Sequence, residues 1–192
     1  MGVIFGSTSK KIKNYLLIGN KFHINSKLRE DGRLGYLKVE IDEIKTPVYL
    51  DNKKKLFCII YCMNLIKILT VENENNVEIY NLLEKLFKII ELDNWLVEFL
   101  YLELNILKAI GYDINFRDYV VDKSINGKSK YIVDSSQKII PNFLIDKNIS
   151  PENLKDIYNG YSIVGDFLDK TIIKANNKNY PSSRNDFVNL LK

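Results

Sequence analysis

The first fifty residues consist of short apolar runs separated by polar or glycine-rich breaks, a pattern typical of short β-strands. Four segments fit this pattern: residues 3–5, 15–18, 21–25 and 34–41. The last of them alternates apolar and polar side chains, with Tyr36 and Lys38 on its polar face. Because the segments are short and closely spaced, we expect antiparallel pairing into a small sheet or part of a barrel.

After residue 51 the spacing of the apolar positions becomes helical. Helices are predicted over residues 53–70, 77–90 and 95–110. Asp93 or Asn94 is placed to cap the third helix, and Gly111 follows it at the position where glycine commonly ends a helix. The apolar residues of this helix cover nearly its whole circumference, which predicts a central core helix.

The last eighty residues read as a β-turn insertion followed by more helices. Asn126-Gly127 is typical of a tight turn and separates two short segments, residues 118–123 and 130–134. Further helices are predicted after Ser150, the expected N-cap, over about 163–175, and after Pro181-Ser182. The pattern therefore predicts an α+β chain, with a β part over residues 1–51 and a helical part over 52–192.

The charge is divided unevenly along the chain. Residues 1–60 carry a net charge of +6, residues 61–120 carry −5 and residues 121–192 carry +3. A basic first third suggests a surface that faces a polyanion, although an ordinary lysine-rich solvated surface gives the same count. The candidate DNA contacts are lysines that bind phosphates and an interleaved aromatic that stacks on bases: Lys10, Lys11, Lys13, Tyr15 and Lys21. Core packing is an equally good explanation for Tyr15 and the better one for Phe22, whose neighbour His23 then faces solvent.

Catalytic and metal chemistry find little support in the sequence. The two cysteines, Cys58 and Cys62, lie four residues apart on one helical face and are expected to be small core residues. A single histidine, His23, excludes a histidine-based metal centre. Glu103 lies in an apolar helix, where a partly exposed or hydrogen-bonded carboxylate explains it without a catalytic role. We expect no enzyme activity, no metal and no cofactor.

A signal peptide and a membrane span are also not expected. The longest apolar run, residues 56–69, is interrupted by Asn64 and Lys67 and is shorter than the ~20 residues that a span requires.

Short motifs in order along nearly the whole chain, among them residues 2–11, Glu103-Leu104 and Gly111-Tyr112, resemble the RecO family of recombination mediators. Near the start, residues 2–11 and Gly19-Asn20 are similar to family elements. Glu103-Leu104, Leu107 and Gly111-Tyr112 resemble the central helix of the family.

The end of the chain continues the resemblance. Residues 165–169 are similar to a Gly-x-Phe-Leu-Glu element of the family, and residues 181–184 resemble its Pro-Pro-x-Arg element. No single motif is specific, but the ordered set is.

The resemblance implies an OB-like barrel over residues 1–51 and an α-helical domain over 52–192 with a degenerate zinc-finger-like insertion. It also implies a cytoplasmic, nucleoid-associated bacterial protein that is not an enzyme. Such a protein binds single- and double-stranded DNA, anneals complementary strands and binds the C-terminal tail of single-stranded DNA-binding protein. With RecR as partner it helps to load RecA at gaps.

Three departures from the family pattern change these expectations. The family carries further strands before the position of Gly2, so the barrel is expected to be incomplete. Tyr119 stands where the family often has cysteine, so zinc is not expected, and Tyr101 stands where it often has arginine. The alternative is a protein-interaction module only, whose helical domain binds a partner tail after DNA binding has been lost. For that tail, the candidate contacts are Phe99, Tyr101 and Lys108.

Overall fold

The computed structural model of the chain describes residues 2–4, 15–27, 35–71, 74–125, 128–133, 138–174 and 176–192. These residues form two compact units, Met1–Met63 and Asn64–Lys192. The boundary between the two units lies inside the first long helix, α1 (Lys53–Leu69). This helix confirms the one predicted over residues 53–70. The described residues are a mixture of helices and small sheets, as the α+β prediction requires.

Unit 1 contains a three-stranded sheet in the order β1 (Gly2–Ile4), β3 (Gly35–Glu43), β2 (Lys21–Lys27). Strands β2 and β3 are antiparallel, whereas β1 runs parallel to β3. The prediction of antiparallel pairing is therefore wrong for β1. This strand pairs with the strand after next, and the intervening chain is long enough for the crossover that a parallel pair needs. The described strands form an open sheet.

Residues 15–18 do not form the predicted strand. The Leu17 N–H donates to the Tyr15 carbonyl at 2.8 Å, and the Asn20 N–H donates to the Leu17 carbonyl at 3.2 Å. Gly19 has φ +93°, a left-handed conformation that glycine adopts without steric cost. The apolar run therefore leads into a turn because Gly19-Asn20 reverses the chain directly after it.

Two helices of unit 2 follow the predicted pattern closely: α2 (Val77–Ile89) and α3 (Trp95–Ala109). Helix α3 ends in a Schellman motif, in which the Gly111 N–H donates to the Lys108 carbonyl and the Tyr112 N–H to the Leu107 carbonyl. Gly111 has φ +93°, as this motif requires. Seven residues of α3 are buried, which confirms it as a core helix.

The predicted β-turn insertion is an antiparallel hairpin of β4 (Val120–Ile125) and β5 (Lys128–Val133), with the two-residue strand β6 (Ile139–Ile140) added to β5. A 3₁₀-helix over Phe116–Tyr119 precedes it. Asn126-Gly127, the predicted turn, lies outside the described residues.

The end of the chain differs from prediction in two places. A short helix α4 (Asn142–Ile145) is followed by α5 (Leu154–Phe167), which begins after Asn153 and not after Ser150. The side chain of Asn153 accepts a hydrogen bond from the Asp156 N–H at 3.1 Å and caps the helix, which Ser150 does not.

The predicted separate helix over 163–175 is also wrong. Helix α5 continues directly into a π-helix over Leu168–Ile173, so the two predicted helices are one continuous element. The last helix, α6 (Ser182–Asn189), follows Pro181 as predicted.

An aromatic cluster joins three helices in the core of unit 2. The ring of Phe187 on α6 lies 5.5 Å from Phe99 on α3 and 5.3 Å from Tyr161 on α5, with edge-to-face geometry in both pairs. The Tyr161 hydroxyl donates to the Leu96 carbonyl at 2.7 Å, which satisfies its polar end. Edge-to-face pairs contribute about 0.5–1.5 kcal/mol each beyond the burial of their area.

Candidate nucleic-acid and partner-binding surfaces

The predicted DNA contacts are only partly described by the structure. Lys10, Lys11 and Lys13 lie outside the described residues. Tyr15 is half-buried, and its carbonyl accepts from the Asn20 side-chain amide at 2.9 Å. The Lys21 ammonium lies 3.4 Å from an Asp42 carboxylate oxygen and 3.3 Å from Glu43. Its charge is thus offset by two carboxylates.

A second group of candidate DNA contacts lies on the polar face of the β2–β3 pair. Three cross-strand pairs occupy this face: His23 with Glu40, Asn25 with Lys38, and Lys27 with Tyr36. Tyr36 is 52% exposed although it is a large aromatic. A ring of this kind next to Lys27 and near Lys38 can stack on a base while the ammonium groups contact phosphates.

The sequence assigned Tyr36 and Lys38 to this face without selecting them as contacts. The signal was present, because an aromatic on the polar side of an alternating strand is not needed for the core. The Lys38 ammonium also lies 2.7 Å from a Glu40 carboxylate oxygen, and this hydrogen bond lowers the pKa of Glu40. A nucleic acid on this face therefore competes with Glu40 for Lys38.

The three predicted tail contacts on α3 do not form one surface. Phe99 is 1% exposed within the aromatic cluster, so its prediction as a surface contact is wrong. Tyr101 lies two residues further along, and side chains two apart on a helix face different sides. Lys108 is exposed and pairs with Asp113 at 2.7 Å.

Tyr101 is held in place by its own contacts. Its hydroxyl donates to the Phe143 carbonyl at 2.7 Å, and the Lys147 ammonium lies 5.1 Å from its ring centroid. Burial, followed by the negative charges of Glu98 and Asp146, raises the pKa of Tyr101. The Lys147 ammonium therefore lies over the Tyr101 ring, at the position where the family that the chain resembles often has arginine.

A groove of about 610 Å³ in unit 2 has the character that a partner segment needs. Its apolar walls come from the 3₁₀-helix, β6, α5 and the residues next to them: Ile114, Phe116, Ile140, Ile163 and Phe167. Tyr119, 60% exposed, also lines it. Predominantly apolar walls with a few placed polar groups are typical of binding sites.

Three charged side chains line the groove, Lys138, Asp166 and Lys170, and together they give it a net positive charge. The Lys138 ammonium is 2.5 Å from an Asp166 carboxylate oxygen, and Lys170 also lines the groove. Lys170 and Thr171 belong to the π-helix, in which the Lys174 N–H donates to the Asp169 carbonyl five residues earlier. Single π-turns are frequent at functional sites. The sequence gives no signal for the groove because its walls come from three segments that are far apart along the chain: residues 114–119, 138–140 and 163–171.

The motif residues near the end of the chain converge in the core of unit 2. Arg184 is 3% exposed and donates from Nε and Nη2 to the two carboxylate oxygens of Glu103, at 3.0 and 3.4 Å. Its Nη2 also donates to the Tyr161 carbonyl at 2.8 Å, and its Nη1 donates to the Tyr180 hydroxyl at 3.1 Å. Glu103 is therefore a fully buried and hydrogen-bonded carboxylate, and it is not partly exposed.

Gly165 completes this arrangement, because a Cβ at this position would collide with the Arg184 guanidinium. Glu103, Gly165 and Arg184, one residue from each of three resembling segments, thus meet around one buried ion pair. Asp166 and Phe167 of the second segment line the groove. The convergence of the three segments supports the resemblance to the RecO family.

Comparison with known proteins agrees with this identification. A family model described as Recombination protein O C terminal matches residues 51–154, more than half of the chain. The chain belongs to the RecO family. The RecO match begins just before α1 and ends at the start of α5, so it includes Glu103 but not Arg184.

Three curated relatives, each named DNA repair protein RecO, are similar to this chain. The protein of Ehrlichia chaffeensis is 27% identical over 80% of this chain and 65% of its own length. Two proteins of Rhodopseudomonas palustris, strains TIE-1 and HaA2, are 22% and 21% identical over 100% and 98% of this chain. The aligned part spans 83% and 82% of those two RecO proteins.

No solved structure matches the chain. Among the described residues, no helix has the length and apolar character to cross a membrane. Within the same part of the chain, no three His, Cys, Asp or Glu side chains are grouped as a metal ion would need.

Proposed function

We propose that this RecO-family chain is a cytoplasmic, nucleoid-associated DNA repair mediator and not an enzyme. It binds single- and double-stranded DNA, anneals complementary strands, and acts with RecR to load RecA at gaps coated by single-stranded DNA-binding protein. The observation that carries the proposal is the family match over residues 51–154, together with three relatives named for DNA repair.

Unit 1 supplies the DNA-binding surface in this proposal, as an OB-like domain. Support comes from its +6 charge over residues 1–60 and from the exposed Tyr36 beside Lys27. Sequence-independent binding through phosphates predicts an affinity that falls steeply between about 50 and about 200 mM salt. Tyr36 adds a stacking contribution of about 1–3 kcal/mol per base, which salt does not screen.

The test is fluorescence anisotropy with labelled oligonucleotides across a salt series. Charge reversal of Lys10, Lys11 and Lys13 to Glu is expected to weaken binding and to reduce the salt slope by about 2, at about 0.7 per lost contact with single-stranded DNA. Tyr36→Ala is expected to weaken single-stranded binding without a change in that slope.

The control carries the same change in charge elsewhere. Lys67, Lys85 and Lys88 are exposed lysines of α1 and α2, and their replacement by Glu is expected to have a small effect on the slope. If the two triple variants weaken binding equally, the binding depends only on net charge, and the assigned surface is refuted. Undiminished binding by the first triple variant would refute it as well.

A second function has its own supporting observation, the groove beside the π-helix. An acidic segment that ends in an aromatic residue matches apolar walls with Lys138 and Lys170 beside them, and the C-terminal tail of single-stranded DNA-binding protein is the partner that the family suggests. This site replaces the one expected around Phe99 on α3. It also serves the alternative in which the chain is a protein-interaction module only.

Matched charge reversals distinguish the groove from the site expected on α3. A labelled acidic peptide ending in Phe is titrated with Lys170→Glu and with Lys108→Glu, both of which replace an exposed lysine. Loss of one charge contact is expected to weaken binding about tenfold for Lys170→Glu only. An equal loss for Lys108→Glu, or none for either variant, would refute the groove.

A further inference from the structure

A pocket of about 310 Å³ in unit 2 lies between the first two turns of α3, the loop after α4 and the first turn of α5. It shares no lining residue with the groove beside the π-helix. Its volume is at the lower end of the ~300–1,000 Å³ range of ligand sites, so it suits a few side chains of a partner. We call it the Tyr101 pocket. Its apolar walls come from all three segments: Leu96, Val97, Tyr101, Ile149, Pro151 and Ile157.

The ring of Tyr101 is a fixed platform in this pocket. Its hydroxyl donates to the Phe143 carbonyl at 2.7 Å, and the Phe143 ring packs against it edge-to-face with the centroids 6.4 Å apart. The Lys147 ammonium lies over the ring, 5.1 Å from its centroid, and Lys147 also lines the pocket. An ammonium within about 6 Å of an aromatic face is attracted by the ring. The chain's own lysine therefore marks the ring as a place for a cation.

The segments that form the pocket are predominantly acidic. Residues 91–98 and 146–157 carry six carboxylates and two ammonium groups, a net charge of −4: Glu91, Asp93, Glu98, Asp146, Glu152 and Asp156 with Lys147 and Lys155. Of these, Asp93, Glu98 and Lys147 line the pocket itself. Two helices also begin here, but their N-termini contribute only about +0.5 each. The pocket therefore attracts a cation and repels nucleic acid.

The apolar walls indicate what carries the cation. Ile149 is 39% exposed, and Leu96, Pro151 and Ile157 are partly exposed. A small hydrated cation would leave these side chains in contact with water, whereas lysine and arginine bring an apolar stem together with their charge. A basic residue next to an apolar one covers both the ring and the walls. The charge and the walls together thus favour a segment of a protein.

We propose that the Tyr101 pocket binds a basic and apolar segment of a different protein. A lysine or arginine of that segment takes the place of Lys147 over the Tyr101 ring and pairs with Glu98, and an apolar neighbour packs on Ile149. Lys147 is then an internal stand-in that leaves when the partner binds. This partner is opposite in charge to the acidic segment proposed for the groove, so the two sites select different partners.

The test begins with a displayed random-peptide library, selected on the full chain and depleted on the variant Glu98→Lys/Ile149→Ser. Enriched peptides are expected to contain lysine or arginine next to a large apolar residue. Synthetic copies are then titrated by fluorescence anisotropy. Glu98→Gln should weaken their binding about three- to fivefold, as expected for one partly exposed charge pair, and by less at high salt.

Lys147→Ala is the variant that tests the stand-in directly. Removal of the internal cation opens the ring face, so the same peptides should bind about two- to fivefold more tightly, the value of one exposed cation–π contact. A lysine that merely supports the fold would give no such gain. Lys155→Ala removes a charge from the same acidic region, but Lys155 does not line the pocket, so a smaller effect is expected.

A matched carboxylate serves as the control for Glu98. Glu78 lies in the first turn of α2 as Glu98 lies in the first turn of α3, and Glu78→Gln should leave peptide binding unchanged. Melting curves followed by circular dichroism check that each variant is folded. DNA binding should differ little among all these variants, so failure of this proposal and failure of the DNA-binding proposal are distinguishable.

Four results would overturn the proposal. The first is a selection in which no peptide depends on Glu98 and Ile149, or in which the dependent peptides are acidic. The second is unchanged or weaker binding by Lys147→Ala, or an equal gain for Lys155→Ala. The third is binding of spermidine that equals the best peptide in affinity and in its dependence on Glu98, which would assign the pocket to a free polyamine. The fourth is a dimer of the chain in sedimentation experiments that Glu98→Lys/Ile149→Ser dissociates.

Discussion

Removal of Arg184 tests the central claim about the core of unit 2. In Arg184→Met the side chain keeps an apolar stem of similar length, but Glu103, 0% exposed, loses its cation. The Tyr161 carbonyl and the Tyr180 hydroxyl lose a donor at the same time. The variant therefore leaves a charge buried without compensation while changing the packed volume little.

The expected cost follows from the geometry of the pair. Breaking a buried ion pair by removing one partner typically costs about 3–5 kcal/mol. Because both carboxylate oxygens of Glu103 accept from Arg184, we expect a loss near the middle of this range, about 4 kcal/mol. That is a large part of the ~5–15 kcal/mol by which a native protein is stable.

The double variant Glu103→Leu/Arg184→Met distinguishes charge from packing. Replacing both members of a buried pair by apolar residues is often neutral, so it should recover most of the loss, with a coupling energy of about 3 kcal/mol. Arg184→Lys keeps a positive charge but loses the bidentate hydrogen bonding to Glu103, so an intermediate loss of stability is expected.

Urea unfolding followed by tryptophan fluorescence measures these differences. Trp95 is the single tryptophan, and its ring lies 6.3 Å from Phe187 on α6, so its emission reports the contact between α3 and α6. Arg117→Met, at an exposed arginine, is the control and should change stability by no more than about 0.5 kcal/mol. The reasoning is refuted if Arg184→Met loses less than about 1 kcal/mol, or if the double variant is as unstable as the single one.

Three further predictions concern the same unit. Gly165→Ala should cost about 1–3 kcal/mol because its Cβ meets the Arg184 guanidinium, and this penalty should shrink in the Arg184→Met background. Gly111→Ala should cost about 1–2 kcal/mol in any background, because only its φ of +93° is strained and nothing lies within 4 Å of the added Cβ. Burial raises the pKa of Tyr180 above its unfolded value, so its contribution to stability is complete below pH ~10 and is lost as the pH rises beyond it. Alkaline unfolding followed by circular dichroism should shift to higher pH in Tyr180→Phe, and an unchanged transition would contradict the assignment.

Periodicity predicted the helices well where a single stripe or a full apolar circumference dominated the pattern. Helix α3 was identified with its first residue and with Gly111 at its end, because each signal is local in the chain. The predicted side-chain cap is wrong, because Asn94 makes no capping hydrogen bond and its amide donates to Glu98 instead. The hairpin and the final helix after Pro181 were predicted for the same reason. The β2 and β3 strands followed from alternation alone.

Features decided by distant contacts were not predictable in this way. The turn after residue 15 is held by long-range hydrogen bonds from Lys45 and Thr46 to Asn20 and from Thr46 to Ile18, whose partners are up to 28 residues apart. At the junction of α5 with the π-helix, Leu168 and Ile172 are buried, and no local pattern indicates the change of helix type. Phe99 was misplaced because a helix that is apolar on all sides gives no indication of which side meets solvent.

The same holds for the candidate sites. The groove takes its walls from segments between Ile114 and Thr171, and no local pattern connects them. Tyr36, in contrast, was on the correct face from alternation, and only its role was overlooked. Glu103 and Arg184 were each recognised as parts of separate motifs, but a single sequence does not indicate that the two residues pair.

The pairing of Glu103 with Arg184 across 81 residues also affects when the helical unit can complete its folding during translation. At about 5–20 residues per second, the ribosome adds Arg184 roughly 4–16 seconds after Glu103. During that interval α3 carries an acidic side chain that has no cation to accompany it into the core. Complete folding of the helical unit therefore waits until Arg184 has been made, and a premature stop at or before codon 184, or a frameshift upstream of it, would remove the residue that pairs with Glu103 in its interior.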